Sequence, residues 1–130
     1  MRQRQKEIPL QNTADILPLL RDIAVKRQEH FVVLSLDSEK RLIKKRVVFI
    51  GTVNAVIAHP REVYAGALAD RASSIIVAHN HPSGDPTPSK QDIVATEQLR
   101  NAGEILGIRL VEHLIVAGEG YFSFREGGMT

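Results

Sequence analysis

With 130 residues, the chain is long enough for one domain with its own hydrophobic core, and its apolar fraction of 43% is typical of a globular protein. It contains no cysteine, which excludes disulfides, thiolate metal sites and cysteine nucleophiles and favours the cytoplasm. The formal net charge of +2 is too small to indicate nucleic-acid binding by itself, and no apolar run reaches the ~20 residues of a membrane helix.

The chain begins with a polar tail over residues 1–12, which has no apolar segment of the kind a secretory signal needs. A first helix follows and should run to about Arg27, because apolar residues recur at helical spacing at Ile16, Leu20 and Ile23. Its cap is either Thr13 or, because Pro18 fits best in a first helical turn, Asp15.

A β-hairpin should follow this helix. The apolar run 31–36 predicts a central strand, and residues 42–50 predict a second strand that pairs with it across a turn. The hairpin carries a set of basic residues, namely Lys40, Arg41, Lys44, Lys45 and Arg46. No aromatic residues interleave with them, so we interpret them as a solvated face that protects an edge strand. Docking of an acidic partner or a phosphate backbone is the alternative.

The second half of the chain alternates strands and helices. The predicted elements are a short strand at 56–58, helices beginning at Pro60 and Lys90, and strands over 74–78, 109–117 and 121–124. The second of these helices should stop at Gly107. The sum is an α/β sandwich of three layers, with a central mixed β-sheet flanked by helices. We expect the domain to cover residues 13–126, with 127–130 as a C-terminal tail.

Residues of metal-ligand type gather where strand 74–78 ends. His79 and His81 are two positions apart, so in an extended chain both imidazoles point to the same side with Cα atoms roughly 6.5 Å apart. Together with Asp92, at the start of the next helix, they offer three nitrogen and oxygen ligands to one divalent ion and leave a fourth position for water. That is the pattern of a catalytic zinc site, in which zinc lowers the pKa of water to ~7 and a general base moves the proton.

Each of these residues also has a purely structural interpretation. A His-x-His pair before a proline occurs in simple loops, and Ser89 with Asp92 fits a capping box, which for Asp92 alone is the better interpretation. The complete pattern favours the metal. We interpret His113 as a hydrogen-bonded core histidine and His59 as structural, and we expect Glu112 to face away from the core.

The pattern His-x-His-Pro, six residues, Ser-x-x-Asp resembles the metal-binding motif of the JAMM (MPN+) metalloproteases. The flanking segments 49–52, 59–63, 79–84 and 113–116 are similar to the bacterial RadC branch of that family, and the resemblance runs from about Ile16 to Phe124. It implies a deaminase-like JAMM/MPN fold and one Zn²⁺ ion per chain, held by His79, His81 and Asp92. It also implies that Ser89 helps to stabilise an oxyanion.

The resemblance further implies a glutamate that activates water. In this family it lies where the first helix gives way to the first strand, and Glu29 matches that position. From the residues alone, Glu29 would be read as a solvated carboxylate. Glu62 is the rival candidate, but its place in the first turn of a helix already has an explanation in the helix dipole.

The function implied by the resemblance is zinc-dependent hydrolysis of an amide bond in a peptide or protein substrate. RadC proteins are named for DNA repair and usually carry a helix-hairpin-helix region before this domain. The chain has no room for that region, so it is either an excised domain or a short stand-alone form, and we expect at most weak, non-specific DNA binding. A metal-dependent nuclease and a non-catalytic interaction module are the alternatives. The contiguous His79-Asn80-His81 string lacks the dispersed spacing of HNH nucleases, and the complete ligand set argues against a non-catalytic module.

Overall fold

The computed structural model describes residues 8–51 and 59–130. The predicted strand at 56–58 and the first seven residues of the predicted tail lie outside these ranges. Within them, five strands form one sheet in the order β2-β1-β3-β4-β5. The strands are β1 (Glu29–Leu36), β2 (Leu42–Gly51), β3 (Ser74–Asn80), β4 (Arg109–Ala117) and β5 (Gly120–Ser123). The β3–β4 pair is parallel and the other pairs are antiparallel, so the predicted mixed sheet is confirmed.

Both faces of the sheet are covered, which explains why the central strands read as continuous apolar runs. On one face, Ile16, Leu20 and Ile23 of the N-terminal helical region pack with Val32, Leu34 and Ile76. On the other face, Val63, Tyr64 and Leu99 from two later helices pack with Phe31, Val33 and Val77. The predicted three layers are therefore present. In the described ranges no helix combines the length and apolar character that crossing a membrane requires.

The N-terminal helix differs from the prediction. It consists of α1 (Thr13–Ile16), a 3₁₀-helix (Leu17–Leu20) and α2 (Arg21–Ala24), so it ends before Arg27. Both predicted caps, Thr13 and Asp15, are wrong, because Asn12 is the cap. The Asn12 side chain accepts a hydrogen bond from the Asp15 N–H, and the Asp15 carboxylate accepts one from the Asn12 N–H at 3.2 Å. Asp15 is thus the third residue of a capping box, and Pro18 falls in the first turn of the 3₁₀ segment.

Two further helices lie on the face opposite the N-terminal region. The helix α3 (Pro60–Ala69) is capped by His59, whose Nδ1 accepts from the Arg61 N–H at 3.3 Å. The helix α4 (Lys90–Leu106) ends at Gly107, which has the left-handed φ of 74° expected of a C-terminal glycine. The start of α4 lies at the carboxyl end of β3.

The basic hairpin forms the edge of the sheet through β2. Several of its cations pair with acidic side chains: Arg41 with Glu39, Lys45 with Asp22, and Arg46 with Asp70. Positive charge on the hairpin is therefore partly neutralised within the fold, and less of it remains to attract a phosphate backbone than the sequence suggests.

Candidate metal centre

His79, His81 and Asp92 meet at the carboxyl end of β3. His79 is the penultimate residue of the strand, and the His81 N–H continues the ladder by donating to the Val116 carbonyl at 2.9 Å. The two Nε2 atoms lie 3.2 Å apart. The Asp92 carboxylate places Oδ1 at 3.3 Å from His79 Nε2 and Oδ2 at 3.2 Å from His81 Nε2. The structure thus brings together all three residues that the motif predicts as ligands.

The spacing of these atoms fits a metal ion. With bonds of ~2.0–2.1 Å and tetrahedral angles, neighbouring ligand atoms would be about 3.4 Å apart. The Nε2–Nε2 distance of 3.2 Å is close to that value, and each Nε2 atom has one oxygen of Asp92 at 3.2–3.3 Å, Oδ1 for His79 and Oδ2 for His81. His79 and Asp92 are buried while part of His81 reaches solvent, so the centre is sheltered but open on one side. Two imidazoles and one carboxylate can therefore hold a metal ion here.

Asp92 caps helix α4 and also faces the two histidines. As a capping residue it accepts the Ser89 N–H at 2.9 Å, while Ser89 Oγ accepts the Asp92 N–H at 3.0 Å. Burial opposes ionisation of Asp92, but the hydrogen bonds from His79 and His81 outweigh it and hold the pKa of the carboxyl well below its usual range. The group is therefore a carboxylate, as a metal ligand must be.

The outer nitrogens of both histidines are also bonded. His81 Nδ1 lies 2.9 Å from the Asp85 carbonyl, which only accepts, so His81 carries a proton on Nδ1 and Nε2 is the nitrogen that faces Asp92. His79 Nδ1 lies 2.9 Å from Nε2 of His113. His113 is buried against Phe31 and Phe124 and hydrogen-bonded at both nitrogens, as predicted for a core histidine. Burial lowers the pKa of His113 well below its ordinary value.

Glu29 is the first residue of β1 and lies beside this centre. Phe31 is paired with His79 in the β1–β3 register, so continuing the register places Glu29 level with His81. Side chains two apart on a strand share a face, and the Phe31 ring stacks on His79 with centroids 5.8 Å apart. Burial raises the pKa of Glu29, and positive charge on His79 and His81 acts against that rise. The predicted base is thus near the three candidate ligands and is not one of the residues whose ligand-type atoms converge.

Asn80, between the two histidines, has a structural role that the sequence did not reveal. Alternation turns its side chain to the opposite face, where it is fully buried. Its Oδ1 accepts from the His30 N–H at 2.6 Å, and its Nδ2 donates to the carbonyls of Lys26 and Gln28 at 3.2 and 3.1 Å. These three bonds fix the backbone on both sides of Glu29. The sequence does carry a signal for this role, because Asn80 is a polar residue on the buried face of a strand and such a residue requires hydrogen-bond partners.

Replacing Asn80 by Ala should therefore lower the free energy of unfolding by about 1–3 kcal/mol, because buried backbone groups lose their partners. Urea unfolding in the presence of a chelator measures the change without a contribution from bound metal. The matched control is Asn101→Ala at an exposed position of α4, which should leave the free energy of unfolding nearly unchanged. Equal stability of the two variants would show that the Asn80 contacts do not hold this junction.

The other candidate residues lie as follows. Ser89 is exposed at the cap of α4, and since its Oγ accepts from Asp92, its hydroxyl hydrogen is left to donate. Glu62 is exposed in the first turn of α3.

The expectation that Glu112 faces away from the core is wrong. It is fully buried, and its carboxylate accepts from Ser123 Oγ at 2.6 Å and from the His113 and Arg125 N–H groups, so β5 and the chain after it supply most of its partners.

Comparison with known proteins places this centre in a family context. The model of the RadC-like JAB domain matches residues 10–129. The chain is 51% identical over 102 residues to a UPF0758 protein of Shouchella clausii, covering 78% of this chain and 44% of that protein. A UPF0758 protein of Thermotoga maritima is 44% identical over 119 residues, covering 92% of this chain and 54% of the relative. The chain therefore spans about half the length of the curated relatives it matches.

Proposed function

This chain belongs to the RadC-like JAB domain family, and from that premise we propose that it is a zinc-dependent hydrolase of the metallopeptidase or isopeptidase type. The observation that carries the proposal is the convergence of His79, His81 and Asp92, whose ligand-type atoms lie within 4.8 Å of one another. The name UPF0758 states no activity for the relatives, so the proposed chemistry rests on the site itself.

The donor set favours zinc among divalent metals. Two neutral imidazole nitrogens and one carboxylate oxygen suit zinc, whereas magnesium and calcium take mainly oxygen ligands. A set of three protein ligands that leaves one position open is that of catalytic rather than structural zinc. When bound, the ion supplies Lewis-acid chemistry, because it acidifies water and polarises the carbonyl of an amide.

Glu29 is the proposed general base. Its carboxylate would take a proton from the attacking water and return it to the nitrogen of the leaving amine. The raised pKa caused by burial suits this role, since it moves the carboxylate toward the pH range in which it can both accept and release a proton. The Asn80 bonds to the flanking backbone hold Glu29 at the edge of the centre.

Ser89 is the proposed oxyanion donor. Its oxygen is fixed by the hydrogen bond from the Asp92 N–H at 3.0 Å, which leaves the hydroxyl hydrogen to turn toward the negative charge that develops on the substrate carbonyl. The same capping box therefore carries a proposed metal ligand and a proposed oxyanion donor, so the start of α4 fixes their relative positions.

Incubation of the zinc-loaded protein with a peptide library tests this function. A second library, in which two peptides are joined through a lysine ε-amine, distinguishes cleavage of isopeptide bonds from cleavage of ordinary peptide bonds. We expect amide cleavage that stops when a chelator removes zinc and returns when zinc is restored. DNA serves as the competing substrate. Intact peptides combined with DNA nicking that disappears in Asp92→Ala would replace the peptidase by a nuclease, whereas intact peptides and intact DNA would contradict a hydrolase function.

A further inference from the structure

Behind His79 lies a hydrogen-bonded chain that the proposed chemistry has not used. It consists of His113 on β4 and Thr96 on α4, each only 1% exposed. His79 Nδ1 contacts His113 Nε2 at 2.9 Å, and His113 Nδ1 contacts Thr96 Oγ1 at 2.7 Å. Thr96 Oγ1 in turn lies 2.7 Å from the carbonyl oxygen of Asp92. The hydrogen-bonded chain thus runs from the ring of His79 to the backbone of Asp92, which are two of the candidate ligands.

The proton positions in this chain follow from the donors and acceptors. A carbonyl oxygen only accepts, so the single hydroxyl hydrogen of Thr96 is donated to Asp92. Thr96 Oγ1 must then accept from His113, which places a proton on Nδ1 of His113.

His113 itself carries only that one proton. Its ring is stacked on Phe124 with centroids 4.5 Å apart and lies edge-on to Phe31, and its two hydrogen-bond partners are His79 and Thr96, neither of which is a carboxylate. A buried imidazole that is not hydrogen-bonded to a counter-charge stays neutral. Its Nε2 is therefore an acceptor, and His79 must donate to it from Nδ1.

The consequence is a proton on Nδ1 of His79, which leaves Nε2, the nitrogen that faces Asp92 and His81, as the atom that a metal ion would bind. We propose that Thr96 and His113 are positioning residues that fix the ring and tautomer of His79 for metal binding. The proposal rests on the proposed function, in which zinc occupies this centre. His81 has a simpler arrangement, because the Asp85 carbonyl alone sets its tautomer.

Thr96→Val should weaken zinc binding by about 10–100-fold, the usual effect of losing an outer partner of a metal-binding histidine. Valine has nearly the same shape but offers His113 Nδ1–H no acceptor. The His113 proton can then move to Nε2, where it opposes the His79 N–H. Thr96→Ser keeps a hydroxyl and should bind zinc within a few-fold of the wild type. Competition with a chromogenic zinc chelator measures these affinities.

A second measurement needs no variant and so does not depend on whether Thr96→Val folds. Long-range ¹H–¹⁵N spectra of the metal-free wild type report the tautomer of each histidine ring. We expect His113 and His79 both protonated on Nδ1, and a His113 ring protonated on Nε2 would overturn the inference.

The two measurements separate this inference from the proposed function. If the wild type binds no zinc, the proposed function fails, while the tautomers still test the order of the hydrogen-bonded chain. If the wild type binds zinc and Thr96→Val binds it equally well, the positioning role fails and the metal centre stands. Weak binding by both Thr96→Val and Thr96→Ser would also contradict the role, because the serine variant restores the hydroxyl.

Discussion

Glu29→Gln is expected to abolish amide hydrolysis while leaving zinc bound. Glutamine has the shape of glutamate but cannot accept a proton, so the rate should fall by about 10²–10⁴-fold, the usual contribution of a general base. Glu29 is not one of the residues whose ligand-type atoms converge, so the zinc content should stay that of the wild type. The measurement is kcat on a cleaved peptide for zinc-loaded protein, with the zinc content of the same sample.

The matched control is Glu62→Gln, which makes the same chemical change at an exposed position in the first turn of α3. We expect this variant to retain the wild-type rate. Loss of zinc in Glu29→Gln would recast Glu29 as a ligand. Full activity of Glu29→Gln together with an inactive Glu62→Gln would place the base on α3 instead.

The second large effect is expected from Asp92→Asn. Asparagine keeps an oxygen that can accept the Ser89 N–H, so the start of α4 is retained, but it brings no negative charge to the centre. Outer partners of metal ligands contribute 10–100-fold to affinity, so loss of a direct ligand should weaken zinc binding by more than about 100-fold. Chelator competition measures the affinity, and urea unfolding of the metal-free variant verifies that the fold is intact.

The control for Asp92→Asn is Asp85→Asn, in the loop between β3 and α4. The Asp85 carboxylate is exposed and bonded to Thr87, and only its backbone carbonyl contacts His81. Zinc affinity should therefore be unchanged in this variant. If Asp92→Asn kept wild-type affinity, Asp92 would be a helix cap and nothing more.

The parts of the site that lie close together along the chain could be predicted. The two-residue repeat of a strand puts His79 and His81 on one side, and the capping box puts Asp92 at the start of α4. The three side chains converge once the loop between β3 and α4 brings the start of α4 back to the carboxyl end of β3. Glu29 was placed by resemblance, because nothing local distinguishes a base from a solvated carboxylate at a helix–strand junction.

The parts that depend on contacts between distant elements could not be predicted. The role of Thr96 requires α4 to lie against β4 in one register, and that of Asn80 requires the β1–β3 pairing, neither of which local periodicity defines. Glu112 was misjudged for the same reason, because its partners come from β5 and the chain after it. Asn12 was overlooked because several polar residues before the first helix could equally have been its cap.

The central claim is that His79, His81 and Asp92 hold one zinc ion, and elemental analysis of protein purified without chelators tests it most directly. We predict about one zinc per chain in the wild type and none in the His79→Ala, His81→Ala double variant, provided that circular dichroism shows both proteins folded. The claim would be contradicted by a metal content that is the same in the two proteins, whether both carry zinc or neither does.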